Sequence, residues 1–498
     1  MASGDYSVFI WVAVALYMAL ILFFVIRGAL RTKSIDDYAI GSMSFSPVAV
    51  GLALAASMTS AATFIINPGF IAYYGISAFI SFGLVMSIAA VVSLYIVTKG
   101  FRKIGTSVKA LTMAQWIGNR YNNQYYTLFF GFVSLLLVTF IVLICVGLSK
   151  LLSVALGVNE LYVLTAVIVF VFGYMMFGGA NSMVYTNTIQ ALLMLIVAII
   201  LLTSGYEHFA NGIDGFLDKL KAIDPNLVGT TNESSPLFRD YFEIFFCQIV
   251  VGIAVVCQPH IITKSLLLKN DQQVNTYLAV GIVVELLFFL VVFAGLYARL
   301  EFPTLTDNGT PIPLDGVLST YVVKKFSVGI GIIVIMGLIS AGLSTLEGLI
   351  QSLSTTITQD VIPAVFKTVK VQPVALNKIT IIVLAIVSFG FSYQQLKHPD
   401  LSVGIFAQNG VYAYFSAAFV PVVFGTFFTR VASHVPFIGS ISAIVIHFSV
   451  YYGRLTPYMQ EVVRNPAIPS TFAILGSLLI STLLFVISRS KERKVSLT

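Results

Sequence analysis

Thirteen apolar runs of roughly 20 residues follow one another along this chain, and that is the length an α-helix needs to cross the hydrocarbon core of a bilayer. They lie near 6–26, 45–69, 71–98, 124–149, 159–178, 184–204, 241–263, 275–298, 327–356, 376–394, 402–427, 434–452 and 468–488 of 498 residues. Backbone polar groups in lipid must find partners within the protein, so a chain patterned this way folds as a bundle of membrane helices. Composition agrees: 58% of residues are hydrophobic and 10% charged, where soluble proteins carry about 25% charged residues. The expected class is an all-α polytopic membrane protein with one membrane domain over 1–498.

The second and seventh runs are interrupted. Gly51 to Gly69 is studded with small and hydroxyl residues and closes on Pro68. Pro259 sits at a comparable depth in the seventh run, and four complete spans lie between the two. Paired discontinuous helices point to an inverted-repeat transporter with its site at the repeat interface, where freed carbonyls face an ion, water or protein. The expected first repeat covers 45–204 and the second 239–427, with 6–26 and 434–488 peripheral.

Lys and Arg mark the cytoplasmic side of short loops. With the N-terminus outside and the C-terminus cytoplasmic, 18 of the 28 basic residues fall inside, among them Arg27, Lys103, Arg120, Lys264, Lys269, Lys367, Lys370, Arg430, Arg489, Lys491, Arg493 and Lys494. The long loop near 205–240 holds Asp214, Asp218, Asp224 and Glu233 on the other side. The net charge of +7 is thus a topology signal of a plasma-membrane protein and not a nucleic-acid footprint. Ser7–Ile26 followed by Arg27 reads as a retained first helix and not a cleaved signal. Cys145, Cys247 and Cys257 all fall within spans, as packing residues do. No nucleotide-binding, zinc or nucleophile motif occurs, so neither catalysis nor a bound organic cofactor is expected. No obligatory protein partner is evident.

Five groups of residues follow in order along the chain: Asp36-Asp37-Tyr38-Ala-Ile-Gly41, Phe177-Gly178-Gly179 with Tyr185-Thr186-Asn187-Thr188-Ile-Gln190, Gln258-Pro259-His260-Ile261, Ala341-Gly-Leu-Ser344-Thr345-Leu with Ile357-Thr-Gln-Asp360, and Phe415-Ser-Ala-Ala-Phe-Val-Pro421. Together they resemble the sodium:solute symporter family. The resemblance covers about residues 6–450 and implies a five-plus-five inverted-repeat core of the LeuT-like kind, with Na+ as coupling ion. Carried over residue by residue, it implies that the carbonyls of Ala56, Thr59 and Ala341 and the hydroxyls of Ser344 and Thr345 hold the ion. The chemistry agrees, since a hard cation wants oxygen ligands and neutral ones suit reversible binding. The alternative for each hydroxyl is a bond to the i−4 carbonyl or to a neighbouring helix.

Two departures from the family pattern stand out. Asn187 replaces an acid usual in the sixth helix, and Glu347 replaces what is often a small hydroxyl residue on the ninth. In relatives with a second sodium these positions line it. A membrane carboxylate is a functional hypothesis by default, so Glu347 and Asn187 are candidates for a second cation or a proton. The competing reading is a structural, protonated or paired acid. Glu285 has no motif and stays unassigned.

For the solute, the candidates are Ser57, Met58 and Thr63 on the second helix, Gln248 and Gln258 on the seventh, and Gln408, Asn409 and Tyr412 on the eleventh. Amides buried in lipid need partners. His260 reads as a satisfied structural group, and Lys264, one turn on, as a side chain that snorkels to the inner interface. Proline carriers have aromatic residues where this chain has Val251 and Val255, which favours a small carboxylate, monocarboxylate or pantothenate-like, with proline or another amino acid as the alternative. A solute-sensing module that signals to a partner is the alternative of another class. Each charge moved inward gains about 2.3 kcal/mol per 100 mV, roughly fifty-fold accumulation. An anionic solute needs a second cation to remain electrogenic.

Overall fold

The computed structural model describes every residue except 1–3, 43, 269, 367–370, 399–401 and 496–498, and the side chains of 4–7 and 490–495 are likewise left aside. Lys269, Lys367 and Lys370, and the side chains of Lys491, Arg493 and Lys494, therefore lie outside the described residues. Among the described residues, ten helices are long and apolar enough to cross a membrane, and two bent pairs raise the number to twelve. In chain order the elements are α1 (Val8–Ala29), α2a (Pro47–Met58) with α2b (Ala62–Tyr74), α3 (Ile76–Ser107), α4 (Gln124–Leu156), α5 (Glu160–Met175), α6 (Ala180–Phe209), α7a (Phe242–Val255) with α7b (Pro259–Leu267), α8 (Gln273–Glu301), α9 (Val328–Val365), α10 (Pro373–Lys397), α11 (Val403–Phe427), α12 (His434–Gly453) and α13 (Ala467–Arg489). The thirteen expected spans each have a helix. The fifth, at 16 residues, is shorter than a membrane-length run, because Asn159 caps its start and the Gly178-Gly179 turn follows its end.

Both interrupted helices bend by 55°, but for different reasons. In α7 the proline lies at the break, where Gln258 is extended (φ −80°, ψ 137°) and Pro259 opens α7b. A proline is well suited to the first turn of a helix, where its missing N–H removes nothing. In α2 the break comes well before Pro68, which corrects the expectation that the proline closes the segment. Thr59 is extended (φ −94°, ψ 118°), and its N–H and hydroxyl both return to the Ala55 carbonyl. Pro68 follows a wide turn over Ala62–Ile66, whose i+5 spacing accommodates the N–H it lacks.

α2a is clasped between α6, α8 and α9. A Cβ on Gly51 would come within 2.7 Å of the Tyr277 carbonyl, so only glycine lets α2a and α8 approach this closely. The segment Asp36–Gly41 folds under the bundle. The Tyr38 hydroxyl donates to the Met175 carbonyl (3.0 Å), and the Gln351 amide donates to the carbonyls of Tyr38 and Ala39, each at 2.8 Å. At the far end of α9, Asp360 accepts from Thr112 Oγ1 (2.6 Å) and Gln115 Nε2 (2.8 Å). The core is continuous through the bundle, and the three cysteines are buried within it.

Candidate functional site: an oxygen cluster beside a neutral cavity

The last four carbonyls of any helix lack intrahelical partners, and at the end of α2a the neighbouring helix supplies them. Ser344 Oγ donates to the Ala56 carbonyl at 2.6 Å. Thr345 Oγ1 lies 3.5 Å from the Ala56 carbonyl, 3.3 Å from that of Ser57 and 3.4 Å from that of Thr59. It is also 3.4 Å from the Ala341 carbonyl on its own helix. The five oxygens named from the sequence thus converge on one point between the α2 break and α9, and every contributing residue is fully buried. Both hydroxyls also reach the Ala341 carbonyl, so local back-bonding and the cross-helix contact coexist.

Their spacing has a chemical meaning. Oxygens held about 2.3–2.6 Å from a calcium-sized ion sit roughly 3.3–3.7 Å apart at right angles, and sodium is of that size. Separations from Thr345 Oγ1 of 3.4 Å to Thr59 and Ala341 and 3.5 Å to Ala56 match. The 2.6 Å bond from Ser344 to Ala56 has to open for an ion to enter. Five acceptor oxygens share two hydroxyl protons here, so the cluster is rich in lone pairs and poor in donors.

Next to it lies a cavity of about 90 Å³ lined by Met58, Ser60, Ala62, Thr63, Asn67, Met86, Ala90, Phe140, Leu143, Val255, Gln258, Phe289, Gly404, Ala407, Gln408, Val411 and Tyr412. Of the solute candidates, Met58, Thr63, Gln258, Gln408 and Tyr412 line it. Ser57, Gln248 and Asn409 do not. Ser57 turns toward α9, its hydroxyl 3.2 Å from the Ser344 carbonyl. Gln248 is buried on α7a away from the cavity. Asn409 faces α12, donating to the Tyr452 hydroxyl (3.2 Å) and meeting His447 Nε2 (2.9 Å). The sequence reading omitted Ser60 and Asn67, both polar residues of the same broken segment, and the apolar walls Phe140 and Phe289, for which the sequence carries no signal. No lining side chain is charged.

Glu347 and Asn187 meet as neighbours. Tyr174 OH (2.6 Å) and Gln190 Nε2 (3.1 Å) donate to Glu347 Oε1, and Thr186 Oγ1 (2.7 Å) donates to Oε2. With the Asn187 amide oriented so that both its ends are satisfied, its nitrogen donates to Glu347 Oε2 (3.0 Å) and Gln190 Oε1 (2.8 Å). Its oxygen then accepts from Lys264 Nζ at 3.2 Å. Lys264 is only 3% exposed, which corrects the expectation that it snorkels. His260 is buried against Phe140 with both ring nitrogens unpartnered, so it is not the satisfied group expected. Glu285 is buried, and neither carboxyl oxygen has a partner.

The model of the sodium:solute symporter family matches residues 38–443. The sodium/pantothenate symporter of Escherichia coli is 26% identical over 475 residues, 92% of each chain. The high-affinity proline transporter PutP of Bacillus subtilis is 24% identical over 415 residues, 80% of this chain and 83% of that one. Among solved structures, a substrate-bound, outward-open Na+-coupled sialic acid symporter superposes with a TM-score of 0.77 at 16% identity, over 96% of this chain and 97% of that one. A manganese transporter of Eremococcus coleocola does so with a TM-score of 0.54 at 12% identity, over 92% of this chain and 99% of the other. With residues 38–443 matched by one family model, the chain belongs to the sodium:solute symporter family: it is a sodium-coupled transporter and not an enzyme.

Proposed function

We propose that the protein couples inward sodium flow to uptake of a small organic carboxylate. The observation that carries this reading is the convergence of the Ala56, Thr59, Ala341, Ser344 and Thr345 oxygens beside an uncharged cavity. Sodium held by neutral ligands keeps its full positive charge, and Met58 and Ser60, which flank Thr59, face the cavity. The ion therefore supplies the counter-charge that no cavity residue provides, while the amides of Gln258, Gln408 and Asn67 and the hydroxyls of Ser60, Thr63 and Tyr412 orient the anion. At roughly 10–15 Å³ per water-sized group, the present cavity takes about six to nine such groups. A monocarboxylate fits directly, and a pantothenate-like acid needs the cavity to widen. Sodium binding joins α2 to α9 and so favours one state of the carrier over the other, acting as a differential ligand.

The orientation proposed with it places the N-terminus outside and the C-terminus in the cytoplasm of the plasma membrane, with 45–204 and 239–427 as the two repeats. An amino acid is the second reading, favoured by the buried Gln258 Oε1, which has no partner and would accept from an ammonium group. Proteoliposomes with a sodium gradient, offered labelled monocarboxylates, pantothenate and proline, test both readings. Sodium-dependent accumulation of a carboxylate is the expected result. Binding that raises the melting temperature in sodium without any accumulation would instead identify a sensor.

A further inference from the structure

The cluster around Glu347 is the chemical opposite of the oxygen cluster at the α2 break. Glu347 already receives four donors, from Tyr174, Gln190, Thr186 and Asn187, and a carboxylate offers about four lone-pair sites. A free cation would therefore meet the pair through the Asn187 amide oxygen, the acceptor that faces away from these donors. It would also meet the Lys264 ammonium, which Asn187 holds at 3.2 Å on one side while touching Glu347 at 3.0 Å on the other. Lys264 and Asn187 are 3% and 0% exposed, and Glu347 is 1% exposed.

We propose that the Lys264 ammonium is a tethered cation that occupies, from within the chain, the place a second sodium ion would take beside Glu347 and Asn187, so that one sodium ion binds per transport cycle. The inference rests on the reading of the α2–α9 cluster as the sodium site. Lys264 lies on α7b, just beyond the Pro259 break, whereas Asn187 is on α6 and Glu347 on α9. The tethered charge thus holds the shorter half of a broken helix to Asn187 on α6 and, through it, to Glu347 on α9. Ser57 links the two clusters: its carbonyl accepts from Thr345, and its hydroxyl lies 3.1 Å from the Asn187 amide oxygen.

Binding of ²²Na+ to the purified full-length protein, without solute, tests this. Wild type is expected to bind one equivalent, and Glu347→Gln also one. Lys264→Met, which leaves the carboxylate without its cation, is expected to bind two, and Lys264→Met/Glu347→Gln returns to one. Two equivalents in wild type, falling to one in Glu347→Gln, would overturn the proposal, as would a single equivalent in a folded Lys264→Met protein. If Lys264→Met does not fold, the comparison of wild type with Glu347→Gln still decides. Ser344→Ala/Thr345→Ala separates the two readings: it is expected to lose the first equivalent, and retention of that equivalent would count against the α2–α9 cluster and not against Lys264.

Discussion

Ser344 and Thr345 are adjacent residues on α9, about 100° apart around the helix axis, yet both reach carbonyls of α2 because the α2 break presents those of Ala56, Ser57 and Thr59 toward α9. Removing both hydroxyls leaves carbonyls that cannot close around an ion by themselves. In Ser344→Ala/Thr345→Ala the sodium concentration for half-maximal uptake should rise at least about tenfold, which is about 1.4 kcal/mol; sodium titration of solute uptake measures it. Lys264 makes a different case. Lys264 and Glu347 meet through the Asn187 amide and not directly, so taking away the ammonium leaves the carboxylate with its donors but without a buried counter-charge, which is destabilising. The Lys264→Met protein should therefore melt well below wild type in choline chloride and recover part of that loss in sodium chloride. In Lys264→Met/Glu347→Gln this extra sodium effect should disappear.

Where α2a crosses α8, the geometry of the proposed sodium site depends on a glycine about one and a half helical turns before Ala56. Gly51 has the Tyr277 carbonyl 2.7 Å and the Val280 side chain 3.0 Å from where a Cβ would stand. Overpacking of this kind costs about 1–3 kcal/mol, and relief by sliding α2a would carry Ala56 and Thr59 away from α9. Gly51→Ala should lower both the melting temperature and the apparent sodium affinity. Gly173→Ala on α5, where nothing lies within 4 Å, should alter neither. The two breaks show how differently a sequence can encode similar bends. Gln258-Pro259 can be located by eye, whereas the α2 break at Thr59 is set by a hydroxyl bonding back to Ala55 and by the cavity on its far side.

A single coupled sodium has a consequence for the whole carrier. One sodium moved with one monovalent carboxylate transfers no net charge, so accumulation should follow the sodium concentration ratio and ignore an imposed potential. A zwitterion carried by the same protein would gain about 2.3 kcal/mol per 100 mV, roughly fifty-fold. Proteoliposomes clamped with potassium and valinomycin at 0 and −100 mV distinguish the two. Voltage-independent uptake supports the carboxylate, and a strong dependence assigns the solute to the amino-acid class.

Membrane helices, their number and the two discontinuous segments were readable from residue order alone, because hydrocarbon imposes a length and an apolarity on any span. The proposed donor set of Ala56, Thr59, Ala341, Ser344 and Thr345, whose oxygens the structure brings together, could likewise be named, since its residues lie in short motifs at the break and on one helix opposite. What a linear pattern does not contain is the rotation of each helix about its own axis. Gln248 and Asn409 had the right chemistry at the right depth, but packing buried Gln248 away from the cavity and turned Asn409 toward Tyr452 and His447. Lys264 is long enough to snorkel, so its position near a helix end allowed either outcome. Only the tertiary packing of α6, α7b and α9, which leaves its ammonium no route past Asn187 and Glu347, decided that this charge stays inside.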